Sequence, residues 1–233
     1  MRRPKLVAIV APALAAFVAA LIPSACVKRA PEAPAPASGA AAAPAPAPVR
    51  AASPLAGLAG QNIVVLPVHY LRADTMGFAA RITDPRATLA ALDSAIERAL
   101  GGRGFRTSWT YPPALARSAK RNAGYVSDPY SLAAERLRFG VRNSDEGLKE
   151  PLASQLRSIV AVTDARYALF PVELRFERLS DGRMRPVLRV ALLDARGSSV
   201  RWMGEARGAA SNDITPATLE SVAFALADLV AAP

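Results

Sequence analysis

Apolar residues along this chain fall into two regimes. The first is an uncharged stretch, Leu6 to Ile22, behind the basic Met1-Arg2-Arg3-Pro4-Lys5. The second opens at Asn62-Ile63-Val64-Val65-Leu66-Pro67-Val68, a continuous β-branched run of the kind found in strands buried on both faces. Asp84-Pro85 then offers an N-cap and a proline for the first helical position. Leu89, Leu92, Ile96 and Leu100 recur on one stripe of the helix that follows, and Gly101, Gly102 and Gly104 end it. Phe105 to Trp109 reads as a second strand, which completes a β-α-β start.

Further along, Tyr111-Pro112-Pro113 introduces a helix through Leu115 to Arg121, and Asp128-Pro129 predicts another through Leu132, Leu137 and Phe139. A helix over about Pro151 to Val162 places Leu152, Leu156, Ile159 and Val160 on one face. Arg166 to Phe176 and Met184 to Asp194 are strands joined by the turn Ser180-Asp181-Gly182, and Ala195-Arg196-Gly197 turns again into Val200-Arg201-Trp202-Met203-Gly204. Thr215-Pro216 caps a final helix bearing Leu219, Val222, Ala223, Leu226 and Val230. The expected fold is α/β or α+β: one mixed sheet of about five strands packed with helices, ending in a three-stranded meander closed by a helix.

The leader has the layout of an export signal: a basic start, an apolar stretch and small residues at its end. Ser24-Ala25-Cys26 resembles the end of a bacterial lipobox, with Pro23 standing where that motif usually has leucine. Cys26 is the lipidation candidate, and it is the chain's single cysteine, so no intramolecular disulfide and no thiolate cluster can form. Three other readings of the leader remain open. It approaches the roughly 17 to 25 residues of an uncleaved membrane anchor, it can be cleaved to release a soluble periplasmic protein, or it can be the apolar start of a cytosolic one. The lipobox reading makes residues 1–26 a signal peptide with a lipobox-like end. Val27 lacks the aspartate that retains similar lipoproteins at the inner membrane, which favours the outer membrane, facing the periplasm.

Residues 27–59 are rich in alanine and proline, as in Ala43-Pro44-Ala45-Pro46-Ala47-Pro48, and cannot build a core. They read as a semi-rigid polyproline II tether or as a disordered spacer. Residues 60–233 are long enough for a single globular domain. The sequence has a pI near 10.6, yet six of its 29 basic and one of its 19 acidic residues precede Gln61, which leaves the domain only +5. Export, more than charge, argues against nucleic acid as a partner.

The run Ile63-Val64-Val65-Leu66-Pro67, its amphipathic helix and the Gly104-Phe105 strand resemble the amino-terminal domain of TolB and the curli-secretion and penicillin-binding-protein-activator lipoproteins. Thr163-Asp164-Ala165-Arg166-Tyr167-Ala168-Leu169, Val190 to Gly197 and Val200-Arg201-Trp202 are similar to the strand, turn and Trp-bearing strand of those families. The likeness spans Gln61 to Gly208 and is one of pattern. It implies a sheet-and-helix module that binds other envelope proteins without chemistry of its own.

Arg117, Lys120, Arg121, Arg136, Arg138 and Arg142 gather among Trp109, Tyr111, Tyr125 and Tyr130. Such a mixture suits an acidic partner, a lipid headgroup or an anionic glycan, and it equally describes a solvated helical face over packed aromatics. Arg117, Arg121, Arg138 and Tyr130 are the candidate contact residues. Catalysis finds few parts: His69 is the single histidine and follows a buried strand, Asp84 is needed as a cap, and Glu173 is expected to alternate outward. There is no phosphate loop, nucleophile elbow or His-Glu-x-x-His. The expectation is therefore a non-catalytic lipoprotein that regulates or assembles an envelope complex. It would be joined to the membrane by its lipid and would have no metal or small-molecule cofactor. The alternatives are a subunit of a curli-type secretion channel, which charges such as Arg175, Glu177 and Arg185 in the one hairpin disfavour, and a soluble enzyme acting through carboxylates such as Asp74.

Overall fold

A strand of β-branched residues with nothing polar between them has to be covered on both faces. Ile63, Val64 and Val65 of β1 (Asn62–Val65) are accordingly all buried inside one mixed sheet. The computed structural model describes residues 53–231 apart from 56, 74–76, 78, 104–106 and 140–146. The leader with Cys26, most of the tether, Asp74, the Gly104-Phe105 pair and Arg142 lie outside the described residues.

After β1 come β2 (Tyr70–Arg72), a 3-10 turn, α1 (Pro85–Gly101), β3 (Ser108–Thr110), α2 (Pro112–Arg121), α3 (Glu135–Arg138) and α4 (Leu152–Ala161). The chain then runs through β4 (Tyr167–Arg178), β5 (Met184–Asp194) and β6 (Ser199–Arg207) to α5 (Pro216–Ala231). The sheet order is β3-β1-β4-β5-β6, and β2 pairs with β4 at residues 173–175, beyond the stretch that β1 occupies. β1 is parallel to β3 and β4, whereas β4, β5 and β6 form the antiparallel meander. The fold is thus α+β with six strands. The sixth, β2, has three residues, too few for an alternation to be read in the sequence.

Alternation along β1 sends Ile63 and Val65 to one layer and Val64 and Leu66 to the other. The first layer is built by α1 and α5, with Leu92, Ile96, Leu100, Val222 and Leu226 against Leu169 and Leu188. The second is built under α2, α3 and α4, with Leu115, Leu137, Leu156 and Ile159 against Phe170 and Leu193. The Asp84 carboxylate accepts the N–H of Arg86 (2.9 Å) and of Ala87 (3.1 Å), and the Thr215 hydroxyl accepts the N–H of Thr218, so both predicted caps are in place. Leu55 and Leu58 also pack against the first core, so ordered contacts begin ahead of Gln61.

The helix expected after Asp128-Pro129 does not form there. Asp128 accepts the N–H of Tyr130 (3.0 Å), Leu132 N–H donates to His69 Nε2 (3.2 Å), and Ala133 N–H donates to the Gln155 side chain (2.9 Å). With its donors satisfied by side chains, this segment stays a loop until the single turn of α3. Phe139, placed on the buried stripe by the sequence, is 79% exposed.

Candidate functional site

Cross-strand neighbours share a face, and the pairing of β4, β5 and β6 collects charge on one of them. Glu173 lies opposite Arg189, Glu177 opposite Arg185, and Arg189 opposite Glu205. Arg175 reaches Glu205 with both terminal nitrogens, at 2.9 and 3.0 Å, and touches Glu177 at 2.9 Å. Glu205 also accepts from Arg189 (3.2 Å) and Arg207 (2.9 Å). The hydrogen bond from Arg175 holds the Glu205 carboxyl below the usual range against the opposing effect of burial. The bidentate geometry makes this a fixed array rather than a loose surface pair.

The same face continues to Glu173, which is 1% exposed and does not point outward as its place in the strand suggested. The register shifts between Pro171 and Glu173, which aims the carboxylate at α3. There Arg138 holds it through Nε (2.7 Å) and Nη2 (2.6 Å), while Arg72 approaches to 3.6 Å. The Arg138 guanidinium also lies 4.5 Å over the Tyr70 ring. Burial first, then a hydrogen bond to Glu135, pushes the Tyr70 hydroxyl up to about 12. Five arginines, at 72, 138, 175, 189 and 207, thus meet three glutamates, at 173, 177 and 205, and the array keeps a surplus of positive charge.

Of the residues singled out in the sequence, Arg138 belongs to this array. Arg117, Lys120 and Arg121 are exposed on α2, Tyr130 is half exposed on the loop beyond it, and Tyr125 is 88% exposed. Trp109 and Tyr111 pack against the α1–α5 core. Arg72, Arg175, Arg189, Glu205 and Arg207 were missed, although Glu173-x-Arg175-x-Glu177 and Glu205-x-Arg207 carry a period-two charge pattern that marks one sheet face.

His69 sits as a bracket. Its Nδ1–H donates to Pro67 O (2.9 Å), its Nε2 accepts from Leu132, and its ring meets Phe170 edge-on at 4.9 Å. Burial pushes its pKa down, so the neutral ring fits both bonds. Among the described residues, no three His, Cys, Asp or Glu side chains group closely enough to hold a metal ion. Asp84 is occupied as a helix cap and Glu173 by arginine.

No family model and no curated protein matches the chain. Solved structures similar to it include LpoB from E. coli, at 16% identity over 90% of this chain and 96% of that one, TM-score 0.38. Lipoprotein GNA1162 from Neisseria meningitidis is 15% identical over 74% and 99%, TM-score 0.39. A PelC dodecamer from Paraburkholderia phytofirmans is 15% identical over 73% and 87%, TM-score 0.34.

Proposed function

We propose that this chain is an exported lipoprotein, acylated at Cys26 and facing the periplasm from the outer membrane, whose tethered domain docks an acidic envelope protein and regulates or assembles its complex. The observation that carries the reading is the arginine array on β4, β5 and β6. Five arginines meet three glutamates there, so the array carries more positive charge than its glutamates neutralise. The exposed Arg117 and Arg121, with Tyr130, extend the basic and aromatic contact surface. The export signal, the lipobox-like Ser24-Ala25-Cys26 and the Ala/Pro tether support the location.

Photo-crosslinking the full-length protein in its own membranes, followed by mass spectrometry, tests this reading. Reversing Arg117, Arg121 and Arg207 to glutamate should cut partner capture about tenfold while leaving the melting temperature nearly unchanged. Glu205 keeps Arg175 and Arg189 in that variant, so no carboxylate is stranded. Undiminished capture would sink the basic-surface reading.

A further inference from the structure

β6 stands last in the sheet order, with β5 as its neighbour on one side. Their register runs unbroken from Val187↔Arg207 to Leu192↔Trp202, and the Gly208 N–H donates to Pro186 O at 2.9 Å, which fixes the phase of the antiparallel ladder. Trp202, Gly204 and Ala206 therefore turn their backbone groups to β5, while Met203, Glu205 and Arg207 turn theirs to the other edge. The backbone N–H and C=O groups of these three have no hydrogen-bond partner among the described residues. Among those residues, pairing on this edge is confined to the start of the strand, where Gly147 bridges Ser199.

Side chains alternate along with the backbone groups. Glu205 and Arg207 belong to the arginine array, and Arg207 is half exposed at its border. Trp202 and Ala206 lie on the other face, with the Trp202 ring across Gly204 in the place that a Cβ would take.

We propose that the acidic partner docks by adding an extended strand to this edge, hydrogen-bonded to the backbone of Met203, Glu205 and Arg207, with carboxylates on its array side and apolar residues on the Trp202 side. This docking mode presupposes the acidic partner proposed for the array. Free edge amides accept any strand, so the side chains have to choose. An added strand lies about 4.8 Å from β6, and every second side chain falls on the face of the array. Five arginines meet three glutamates on that face, so carboxylates there are attracted and ammonium groups repelled. A second copy of the chain fits worse, because an antiparallel pair of β6 edges sets two arrays side by side on one face and doubles the surplus. On the other face, Gly204 has no side chain to hold a neighbour off the Trp202 ring, which leaves a flat apolar seat.

The test is residue-resolved amide hydrogen exchange, read by NMR on the full-length protein in detergent at neutral pH, with the peptide acetyl-Thr-Glu-Val-Glu-Val-Glu-Thr-amide. One control is the same peptide N-methylated along its Glu-Val-Glu-Val-Glu core, which keeps the charges and loses the donors. Another carries lysine in place of each glutamate. Near saturation the acidic peptide should slow exchange at Met203, Glu205 and Arg207 about tenfold and change little at Trp202, Gly204 and Ala206, which are already bonded to β5. N-methylation should weaken binding about tenfold, and the lysine peptide should protect none of these amides. Equal binding of the N-methylated peptide, protection without the alternation, or equal protection by the lysine peptide would overturn the proposal. So would protection of the three amides that appears without peptide and grows with protein concentration, which would seat a second copy at the edge. Equal binding of the N-methylated peptide leaves the basic surface standing, whereas undiminished capture on reversing Arg117, Arg121 and Arg207 removes the acidic partner itself, so the two readings fail separately.

Discussion

At Asp93 the folded chain binds a proton more tightly than the unfolded one, because burial raises its carboxyl from the ordinary aspartate range to about 7. Its contribution is neutral while both states are protonated. It turns into a growing cost as pH climbs from about 4 to about 7 and stays constant above that. Asp93→Asn keeps the bond to Val68 and removes the ionisation. It should stabilise the protein by about 2 to 4 kcal/mol at pH 8 and hardly at all at pH 4, as read from denaturant curves at the two pH values. Arg138 supplies the opposite case. Its truncation to alanine leaves the buried Glu173 with Arg72 alone at 3.6 Å, and thermal melts should show a loss of about 3 kcal/mol. Arg117→Glu and Arg121→Glu lie on exposed α2 positions and should each stay within about 0.5 kcal/mol of the parent. Of the candidate arginines, then, Arg138 is a structural partner whatever else it touches, a role that its neighbours in sequence do not reveal.

Among the elements, those whose ends are set by nearby residues were legible. Asp84 and Pro85 start α1, Thr215 and Pro216 start α5, and Gly182, at φ +82°, turns the β4–β5 hairpin after Asp181. Each uses side-chain or backbone geometry within a few positions, which is what a sequence displays. The segment after Asp128 carried a comparable signal and went another way, because His69 and Gln155, distant in sequence, took the donors of Leu132 and Ala133. The seat of α5 is also tertiary. A Cβ on Gly208 would stand 2.5 Å from Ser221 Oγ, 2.7 Å from Pro186 Cγ and 2.9 Å from the Val222 nitrogen. Gly208→Ala therefore has to push α5 off the end of β6. We expect a loss of about 1 to 3 kcal/mol and faster hydrogen exchange along α5 than along α1.

For the whole molecule, the proposed acylation would set the domain's place through Cys26, which lies outside the described residues. Cys26→Ser should move the protein from the membrane pellet to the soluble periplasmic fraction with the same melting temperature, and a protein that stays in the pellet would point to an uncleaved anchor. The amino-acid pattern by itself determined one mixed sheet packed with helices, the β-α-β start and the carboxyl-terminal meander with its closing helix, and it left α/β and α+β open. Each of these follows from hydrophobic period, caps and turns acting over a few residues. Only the tertiary structure decided that Glu173 is buried, that Arg138 serves it from 35 positions away, and that Asp93 and Tyr130 share a groove. Burial and charge pairing depend on which strands adjoin and which loop lies across them, and a one-residue shift at Pro171 is enough to turn a carboxylate from solvent into the protein.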